Sequence, residues 1–392
     1  MFDSRNESTT HEHTNGVALR PKVLVLFGTR PEAIKLAPVI HELQKRSIQT
    51  IVVSSSQHKH LLKPFLESLE IDVDFDLAVM KKNQSPNDVC SRVIAKLNKI
   101  FDLEQPDLIL VQGDTTTALA GALAAFNRRI SVGHVEAGLR SGNMMSPFPE
   151  EVNRRLVSQI ATFHFAATED NRRNLLAENV PGEKIFVTGN PVVDSLKQML
   201  KNLKVNPEIA HLIKATAGKK RILLTTHRRE SFGTAMTANL KVMRDFIDRH
   251  ENLCLFFPVH PNPNVKTAAK EILGGQKRIH LLNPLDYSDF LALMKSAWLI
   301  VSDSGGVQEE APSLGKPLLV LRENTERPEA VRSGVAKLVG DHPEALRQLL
   351  EKNYANDKWI KSVTKIANPF GDGKAAARIV KVIEKVRAET RA

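Results

Sequence analysis

The chain of 392 residues is poor in aromatic residues, cysteines and long apolar runs. Aromatic residues account for only 5% of the sequence, so we expect cores built mainly from Leu, Ile, Val and Ala. The two cysteines, Cys90 and Cys254, are far apart in the sequence. This spacing favours a reduced, cytoplasmic protein without a zinc site. No apolar run approaches the roughly 18–20 residues that span a bilayer, so we predict no membrane segment.

Two common nucleotide-binding patterns are also missing from the sequence. No Gly-x-Gly-x-x-Gly follows the first predicted strand, which argues against a dinucleotide redox cofactor. No Walker sequence is present, which argues against phosphoryl transfer from ATP. The sequence therefore supports neither a redox reaction nor a kinase reaction.

Basic residues exceed acidic ones, at 55 Lys and Arg against 44 Asp and Glu, which gives a net charge of +11. This excess favours anionic partners. The basic residues fall in scattered pairs such as Arg154-Arg155, and such pairs are mostly solvated. The pattern gives little support for nucleic acid as a partner, and a small polyphosphate ligand fits the charge equally well.

Apolar segments of strand length alternate along the chain with helical patterns of ten or more residues. The predicted strands cover residues 23–27, 49–54, 107–111, 130–135, 163–167, 185–188, 221–226, 253–259, 278–282, 298–301 and 317–321. Such alternation is typical of parallel α/β sheets, and two series joined near residues 188–196 predict two doubly wound domains in tandem. We place them at residues 21–190 and 191–372, after a polar tail at residues 1–20 that we expect to be disordered.

Polar residues follow the carboxyl ends of six predicted strands. They are residues 28–30, Asp114, Glu136, His227, His260 and residues 304–306. Ligands of open parallel sheets bind at this edge. We therefore expect these residues to line one cleft between the two domains.

One of these strand ends carries a glycine turn that suits an anion. Ser-Gly-Gly at residues 304–306 predicts a tight turn from a buried strand into a helix. Such a turn exposes backbone N–H groups and the positive end of the helix dipole, and its glycines allow a phosphate to come close. Glu309 and Glu310, one helical turn later, are candidate acceptors for ribose hydroxyls. An ordinary turn is the alternative interpretation.

Several charged residues have a plain structural interpretation beside a functional one. Arg30 and Lys35 are either a cationic clamp on a phosphate or two surface charges. Asp114 is either an N-cap or a catalytic group. Glu136 either forms an ion pair with Arg140 or acts in the cleft.

Three further residues complete the set of candidates. Glu150 begins a predicted helix, where it either balances the helix dipole or adds a third carboxylate to the cleft. His227 is followed by two arginines, which should keep it neutral. Arg327 is a candidate for contacting phosphate or sugar. Three carboxylates, one histidine and several arginines suggest acid–base chemistry on a phosphorylated or nucleotide-linked substrate.

Eight motifs occur in order along nearly the whole chain, from about Lys22 to residues 368–373. They are Gly28-Thr-Arg-Pro-Glu-Ala-Ile-Lys35, Gly113-Asp-Thr-Thr-Thr117, Gly133-His-Val-Glu-Ala-Gly-Leu-Arg140, Pro147-Phe-Pro-Glu-Glu151, His227-Arg-Arg-Glu-Ser-Phe-Gly233, Pro258-Val-His-Pro-Asn-Pro263, Asp303-Ser-Gly-Gly-Val-Gln-Glu-Glu-Ala-Pro312 and Thr325-Glu-Arg-Pro-Glu329. Together these motifs resemble those of the bacterial non-hydrolysing UDP-N-acetylglucosamine 2-epimerases.

The resemblance implies a GT-B fold, in which two Rossmann-like domains face a central cleft. It also implies that a C-terminal helix, here residues 373–392, returns to pack on the first domain. The implied reaction interconverts UDP-N-acetylglucosamine (UDP-GlcNAc) and UDP-N-acetylmannosamine (UDP-ManNAc) by elimination of UDP to 2-acetamidoglucal and re-addition. No metal or nicotinamide cofactor is implied. Members of the family are homodimers that supply ManNAc for envelope polysaccharides.

The resemblance also implies roles for individual residues. The positions matching the catalytic residues of the family are Asp114, Glu136, Glu150 and His227. The positions matching the UDP-binding residues are Arg30, Lys35, Ser304, Gly305, Gly306, Glu310 and Arg327, and Phe290 matches the residue beside the uracil.

One family feature is not fully matched. Many bacterial members bind a second UDP-GlcNAc as an activator, through residues around a Gln-His-Arg stretch. Here the stretch has Lys59 and His60 after Gln57-His58, and Asn83 stands where an arginine is expected. The resemblance therefore does not establish a regulatory site.

Two alternative functions remain open. The first is a hydrolysing relative that releases free ManNAc and UDP, although the stretches at residues 146–151 and 227–230 are of the non-hydrolysing type. The second is a non-catalytic sugar-nucleotide-binding protein on the same fold. The presence of all four expected catalytic side chains argues against the second alternative.

Overall fold

The predicted alternation of strands and helices is present in the computed structural model, which describes residues 21–55, 65–81, 84–226, 234–340 and 342–389. The strands are β1 Lys22–Phe27, β2 Gln49–Ser54, β3 Phe75–Asp76, β4 Leu108–Gln112, β5 Ser131–Ala137, β6 Phe163–Ala166, β7 Ile185–Val187, β8 Lys220–Thr225, β9 Leu253–Pro258, β10 Ile279–Leu282, β11 Leu299–Ser302, β12 Leu318–Val320 and β13 Ala336–Leu338.

Helices connect these strands throughout the described residues. They are α1 Arg30–Lys45, α2 Pro86–Glu104, α3 Thr116–Asn127, α4 Glu150–Ile160, α5 Glu169–Ala177, α6 Pro191–Lys201, α7 Pro207–Ala215, α8 Thr234–Arg249, α9 Pro263–Leu273, α10 Tyr287–Ser296, α11 Gly305–Glu310, α12 Pro328–Arg332, α13 Pro343–Ala355, α14 Lys358–Val363 and α15 Ala375–Glu389.

The strands form two parallel sheets. The first has the order β3-β2-β1-β4-β5-β6-β7 and the second the order β10-β9-β8-β11-β12-β13. Each sheet is doubly wound, because the strand order reverses beside its first strand, between β1 and β4 and between β8 and β11. Ligands of doubly wound sheets bind outside the carboxyl ends of the strands at this reversal. The predicted GT-B fold of two Rossmann-like domains is confirmed.

The start of α1 shows how the local sequence shapes the first strand–helix turn. The hydroxyl of Thr29 caps the helix, and the carboxylate of Glu32 accepts a hydrogen bond from the Thr29 backbone N–H at 2.7 Å. This reciprocal arrangement is the capping box that Thr-x-x-Glu favours. It brings Lys35, one turn further on, to a fixed position beside the end of β1.

Short elements and one proline account for the differences from the predicted elements. The strands β3 and β13 were not predicted, because β3 has only two residues and the three residues of β13 include Lys337, which interrupts the apolar pattern. The chain leaves the helical conformation between α6 and α7, and Pro207 begins α7, at a position where its missing N–H breaks no helical hydrogen bond.

The helix α15 packs against α1 of the first domain and against α6, the helix that follows β7. Its apolar residues Ile379 and Ile383 are buried. The carboxylate of Asp194 on α6 accepts hydrogen bonds from the backbone N–H groups of Ala375 and Ala376, at 3.1 and 3.0 Å. These contacts attach the end of the chain to the first domain.

Some sequence predictions fall outside the described residues. They concern the tail at residues 1–20, the catalytic assignment of His227, and the comparison at Lys59, His60 and Asn83. Among the residues that are described, no helix is both long and apolar enough to cross a membrane.

The packing of α15 leads to a prediction about stability. Ile379→Ala should lower the free energy of unfolding by about 2–5 kcal/mol, because it leaves a cavity where a fully buried side chain packs. The measurement is urea denaturation. Lys381→Ala, an exposed position on the same helix, is the control and should change this free energy by no more than about 0.5 kcal/mol. Equal unfolding midpoints for the two variants would contradict the prediction.

Candidate active site

A cleft of about 950 Å³ lies between the two domains, at the carboxyl ends of both sheets. Residues at or just beyond the ends of β1, β4, β5, β8, β9 and β11 line its walls. Those strand-end clusters of the sequence that belong to the described residues therefore meet in one cleft.

Most of the predicted site residues line this cleft. They are Lys35, Asp114, Glu136, Glu150, Phe290, Ser304, Gly305, Gly306, Glu310 and Arg327. Arg30 begins α1 beside the cleft residues Thr29 and Pro31, with its guanidinium 4.5 Å above the ring of Phe65 and in electrostatic interaction with Asp286, the residue before α10. Five residues along a helix correspond to a rotation of about 140° around its axis, so Arg30 and Lys35 point in different directions. Their joint role as a clamp on phosphate stays a prediction.

Glu136 stands on a β-bulge at the end of β5. The pairing of β5 with β6 joins Val135 to Phe165 and Ala137 to Ala166, and it skips Glu136. The backbone of Glu136 has a φ of 65°, which is a strained conformation for a residue with a side chain. Bulges of this kind re-aim a side chain beside an active site. Here the bulge accompanies a carboxylate that is held inside the cleft.

A closed ring of four charged side chains joins the two domains at Glu136. Lys35 forms an ion pair with Glu136, and its Nζ also lies 3.1 Å from Oε2 of Glu309. Nε of Arg327 donates to Oε1 of Glu309 at 2.6 Å, and its Nη2 lies 3.9 Å from Oε1 of Glu136. Lys35 and Glu136 come from the first domain, whereas Glu309 and Arg327 come from the second. We call this set the cleft ring.

The cleft ring keeps Lys35 and Glu136 in their charged forms. Burial alone would lower the pKa of Lys35, but Glu136 and Glu309 raise it above its usual value. Burial alone would raise the pKa of Glu136, but Lys35 and Arg327 lower it below its usual value. Nδ2 of Asn190 also donates to the Glu136 carboxylate at 2.8 Å. Both side chains are therefore ionised at neutral pH.

Of the two interpretations of Glu136, the ion pair with Arg140 was wrong. Nε of Arg140 donates instead to Glu178 at 2.8 Å, away from the cleft. The sequence places Arg140 closer to Glu136 than Lys35 is. The fold nevertheless brings Lys35 to Glu136, because β5 lies two places from β1 in the sheet and α1, which carries Lys35, begins just after β1.

Asp114 is held in the cleft by a second arginine. Nε and Nη2 of Arg154 lie 2.9 and 2.6 Å from Oδ2 of Asp114. The N-cap of α3 is Thr115, whose hydroxyl accepts from the backbone N–H of Ala118, so the N-cap interpretation of Asp114 was wrong. The interpretation of Arg154-Arg155 as a solvated pair was also wrong for Arg154, which is buried.

The two glycines of the turn at residues 304–306 have different surroundings. A Cβ atom on Gly305 would lie only 2.6 Å from the guanidinium of Arg327. A Cβ atom on Gly306 would meet, among the described residues, nothing nearer than Oγ of Ser304 at 3.9 Å. Gly305 therefore makes room for Arg327, and only Gly306 leaves room for a ligand at the start of α11.

The helix α10 contributes two aromatic residues beside Glu310. The hydroxyl of Tyr287 donates to the Glu310 carboxylate at 2.8 Å, and Phe290 lines the same part of the cleft. Burial raises the pKa of Glu310 to about 7.

Glu150, the first residue of α4, also lines the cleft, so both sequence interpretations of Glu150 hold.

Several residues of the site were not among the predicted set. Glu32 accepts hydrogen bonds from the backbone of Gly28 and Thr29 and from the hydroxyl of Thr115, and thereby ties the end of β1 to the end of β4. Its capping-box spacing was a usable signal. Arg154 carries no such signal, because its partner Asp114 lies 40 residues away in the sequence. Glu326 has Arg322 and Arg327 close by in the sequence, but its approach to Arg154 depends on the fold.

Comparisons with known proteins agree along most of the chain. Residues 41–384 match the family model described as UDP-N-acetylglucosamine 2-epimerase. The chain is 44% identical over 372 residues to the UDP-N-acetylglucosamine 2-epimerase of Salmonella typhimurium, a match that covers 93% of this chain and 99% of the relative.

Two solved structures show the same likeness in three dimensions. UDP-GlcNAc 2-epimerase from Neisseria meningitidis, bound to UDP-GlcNAc, has a TM-score of 0.88 at 43% identity and covers 93% of this chain and 100% of its own. The enzyme from Methanocaldococcus jannaschii, in complex with UDP-GlcNAc and UDP, has a TM-score of 0.80 at 36% identity and covers 92% and 99%. Because these matches extend through both domains and the cleft between them, the chain belongs to the UDP-N-acetylglucosamine 2-epimerase family.

Proposed function

We propose that this chain is a non-hydrolysing epimerase that interconverts UDP-GlcNAc and UDP-ManNAc. The observation that carries the proposal is the presence of two separately held carboxylates, Asp114 and Glu136, in one cleft with buried cations. The names of the relatives support the substrate class. The geometry supports a reaction that needs more than one group to move a proton.

The proposed chemistry begins at carbon 2 of the sugar. A carboxylate removes the proton from carbon 2, the electron pair of that C–H bond forms the double bond to carbon 1, and the bond from carbon 1 to the UDP oxygen breaks. The products are 2-acetamidoglucal and UDP, which keeps the electron pair of the broken bond. Re-addition of UDP, with a proton delivered to the opposite face of carbon 2, completes the inversion. A proton must be handled on each face, which requires more than one acid–base group.

We assign these proton transfers to the carboxylates of Asp114, Glu136 and Glu150, and we assign a catalytic role to His227 from the family resemblance alone. Asp114 and Glu136 are each fixed by a basic partner, Arg154 and Lys35 respectively. Fixed donors and acceptors need little reorganisation during the reaction, which is a main source of catalytic power. The partners also keep both groups oriented before the substrate arrives.

We place the diphosphate of the substrate near Arg327, Lys35 and the turn at residues 304–306. The departing UDP gains negative charge as the bond to carbon 1 breaks, and cations fixed nearby stabilise that charge. The open side of Gly306 allows close approach to the backbone at the start of α11. Because Lys35 and Arg327 already contact Glu136 and Glu309, the diphosphate must share these cations with the two carboxylates.

We place the ribose at Glu310 and the uracil at Phe290. The hydrogen bond from Tyr287 orients the Glu310 carboxylate, which leaves its other oxygen for ribose hydroxyls. Phe290 lies on the same helix as Tyr287, so α10 would contact the uracil and also orient the Glu310 carboxylate of α11 toward the ribose.

We also propose that the chain acts as a cytoplasmic homodimer that supplies ManNAc units for envelope polysaccharide. Both cysteines are free, which supports a reducing compartment. Exposed apolar side chains at Leu103, Phe126 and Leu156 lie on α2, α3 and α4, which pack side by side, and they offer a surface for a second copy.

The proposed reaction is tested by one incubation in deuterated water. The protein with UDP-GlcNAc should yield UDP-ManNAc with deuterium at carbon 2 and the nucleotide still attached, as followed by NMR. Free ManNAc would show the hydrolysing reaction instead. An unchanged substrate that still binds would contradict any catalytic function.

The assignment of the two carboxylates is tested by substitution. Asp114→Asn and Glu136→Gln should each lower the turnover number by about 10²-fold or more, because a proton transfer is lost. The dissociation constant for UDP, measured by calorimetry, should change little. Asp102→Asn, an exposed residue paired with Arg128, is the control and should keep full activity. Near-normal turnover of either cleft variant would refute the role of that residue.

The environment of Glu310 predicts a pH dependence of stability. Its pKa of about 7 in the folded protein lies above the usual 4.5, so the folded state holds a proton that the unfolded state has lost. Stability should therefore fall as the pH rises from 4.5 to 7, by up to about 1.4 kcal/mol per unit. Glu310→Gln should remove this contribution, so urea midpoints of the variant should fall less between pH 5 and 7.5 than those of the wild type. Parallel curves for the two proteins would contradict the prediction.

A further inference from the structure

Glu326 is a buried carboxylate of the cleft to which neither the sequence nor the family resemblance gave a role. It lies in the segment between β12 and α12 of the second domain and is only 2% exposed. Three arginines surround it. Nη1 of Arg327 donates to its Oε1 at 2.9 Å, Nη1 of Arg322 lies 2.8 Å from its Oε2, and Nη2 of Arg154 lies 3.9 Å from its Oε1.

Two of these arginines each contact a different carboxylate of the proposed reaction. Arg154 holds Asp114 through its Nε and Nη2 atoms, at 2.9 and 2.6 Å. Arg327 approaches Glu136 at 3.9 Å through Nη2. The single oxygen Oε1 of Glu326 faces both guanidinium groups, so one atom links the two halves of the catalytic arrangement.

The charge of Glu326 is what allows the two arginines to stay close together. Two buried guanidinium groups repel each other, and little water is present to screen the repulsion. The pKa of Arg154 reflects this balance: burial and Arg327 lower it, whereas Asp114 and Glu326 raise it, and the raising effects prevail. Glu309 holds Nε of Arg327 at 2.6 Å, and Glu151 holds Nη1 of Arg154 at 3.0 Å. Loss of the Glu326 charge should therefore act on Nη2 of Arg154, the atom that contacts Asp114, and move it away from Arg327.

We propose that Glu326 is a positioning residue, which sets the relative placement of Asp114 and Glu136 by holding Arg154 and Arg327 at a fixed separation. Glu326 and Arg327 belong to the second domain, whereas Arg154, Asp114 and Glu136 belong to the first. Glu326 therefore also aligns the domain proposed to carry UDP with the groups that transfer protons. This inference rests on the proposed function.

The role predicts a loss of turnover without a loss of nucleotide binding. Misplacement of reacting groups by about 1 Å can lower a rate by about 10²-fold. Glu326→Gln keeps the size of the side chain and removes its charge, so the turnover number should fall by 10- to 100-fold. The dissociation constant for UDP should stay within threefold, because Arg327 and the turn at residues 304–306 are retained.

The role also predicts a change in the fractions of the 2-acetamidoglucal intermediate that return to UDP-GlcNAc and that go on to UDP-ManNAc. In deuterated water, an intermediate that is protonated on its original face returns as deuterated UDP-GlcNAc, and one that is protonated on the other face becomes UDP-ManNAc. Poor alignment of the second proton-transfer group should increase the initial ratio of returned substrate to product. A general loosening of the fold would lower both products in proportion and leave this ratio unchanged.

The experiment compares the wild type with Glu326→Gln, Glu326→Asp and Glu323→Gln. Turnover number, UDP affinity by calorimetry and the deuterium ratio by NMR are measured for each protein. Glu323 is an exposed residue of the same segment, so its variant should keep turnover within twofold. Glu326→Asp keeps the charge on a shorter side chain and should lie between the wild type and Glu326→Gln.

The inference is supported if Glu326→Gln loses at least fivefold in turnover, keeps UDP affinity within threefold and shows a raised deuterium ratio. A smaller loss, an unchanged ratio, or a loss of UDP affinity that matches the loss of turnover would overturn it. If Glu326→Gln does not fold, the same criteria apply to Glu326→Asp. Absence of turnover in the wild type would refute the proposed function itself. An active wild type with an unaffected Glu326→Gln variant would refute only the role of Glu326.

Discussion

The arrangement of the two domains depends on the cleft ring of Lys35, Glu136, Arg327 and Glu309. Each of these charges is buried, and a buried charge without a partner costs several kcal/mol. The charges alternate in sign around the ring, and each domain contributes one cation and one carboxylate. The contacts that satisfy these charges therefore also hold the domains face to face. The same four charges therefore hold the domains together and determine the electrostatics of the active site.

The cleft ring also places a requirement on the proposed chemistry. A carboxylate stabilised by two cations is fully ionised, but it is a weak base. On the proposed function, the diphosphate of the substrate attracts the same two cations, Lys35 and Arg327, and so weakens their hold on Glu136. The basicity of Glu136 then increases when the substrate is present. Binding of the nucleotide and activation of the proton acceptor would follow from the same redistribution of charge.

The sequence predicted all the strands except β3 and β13, and it predicted the location of the cleft, but not the contacts within it. Buried strands such as β1 and β9 show as uninterrupted apolar segments, and the doubly wound order brings their polar ends to one edge. The partners of Glu136 could not be predicted from the sequence, because Lys35 lies 101 residues away in the sequence and Arg327 lies in the other domain. Local spacing favoured Arg140, which the fold directs to Glu178.

The glycine turn shows why a sequence motif needs its surroundings to be interpreted. From the sequence, Gly305 and Gly306 had the same function, which was to admit a phosphate. In the structure, the space beside Gly305 is taken by the guanidinium of Arg327, which belongs to a motif some twenty residues later. A side chain at residue 305 would displace Arg327 from both Glu309 and Glu326. The two motifs are therefore one physical unit: the first provides the space, and the second fills it with the charge that links the domains.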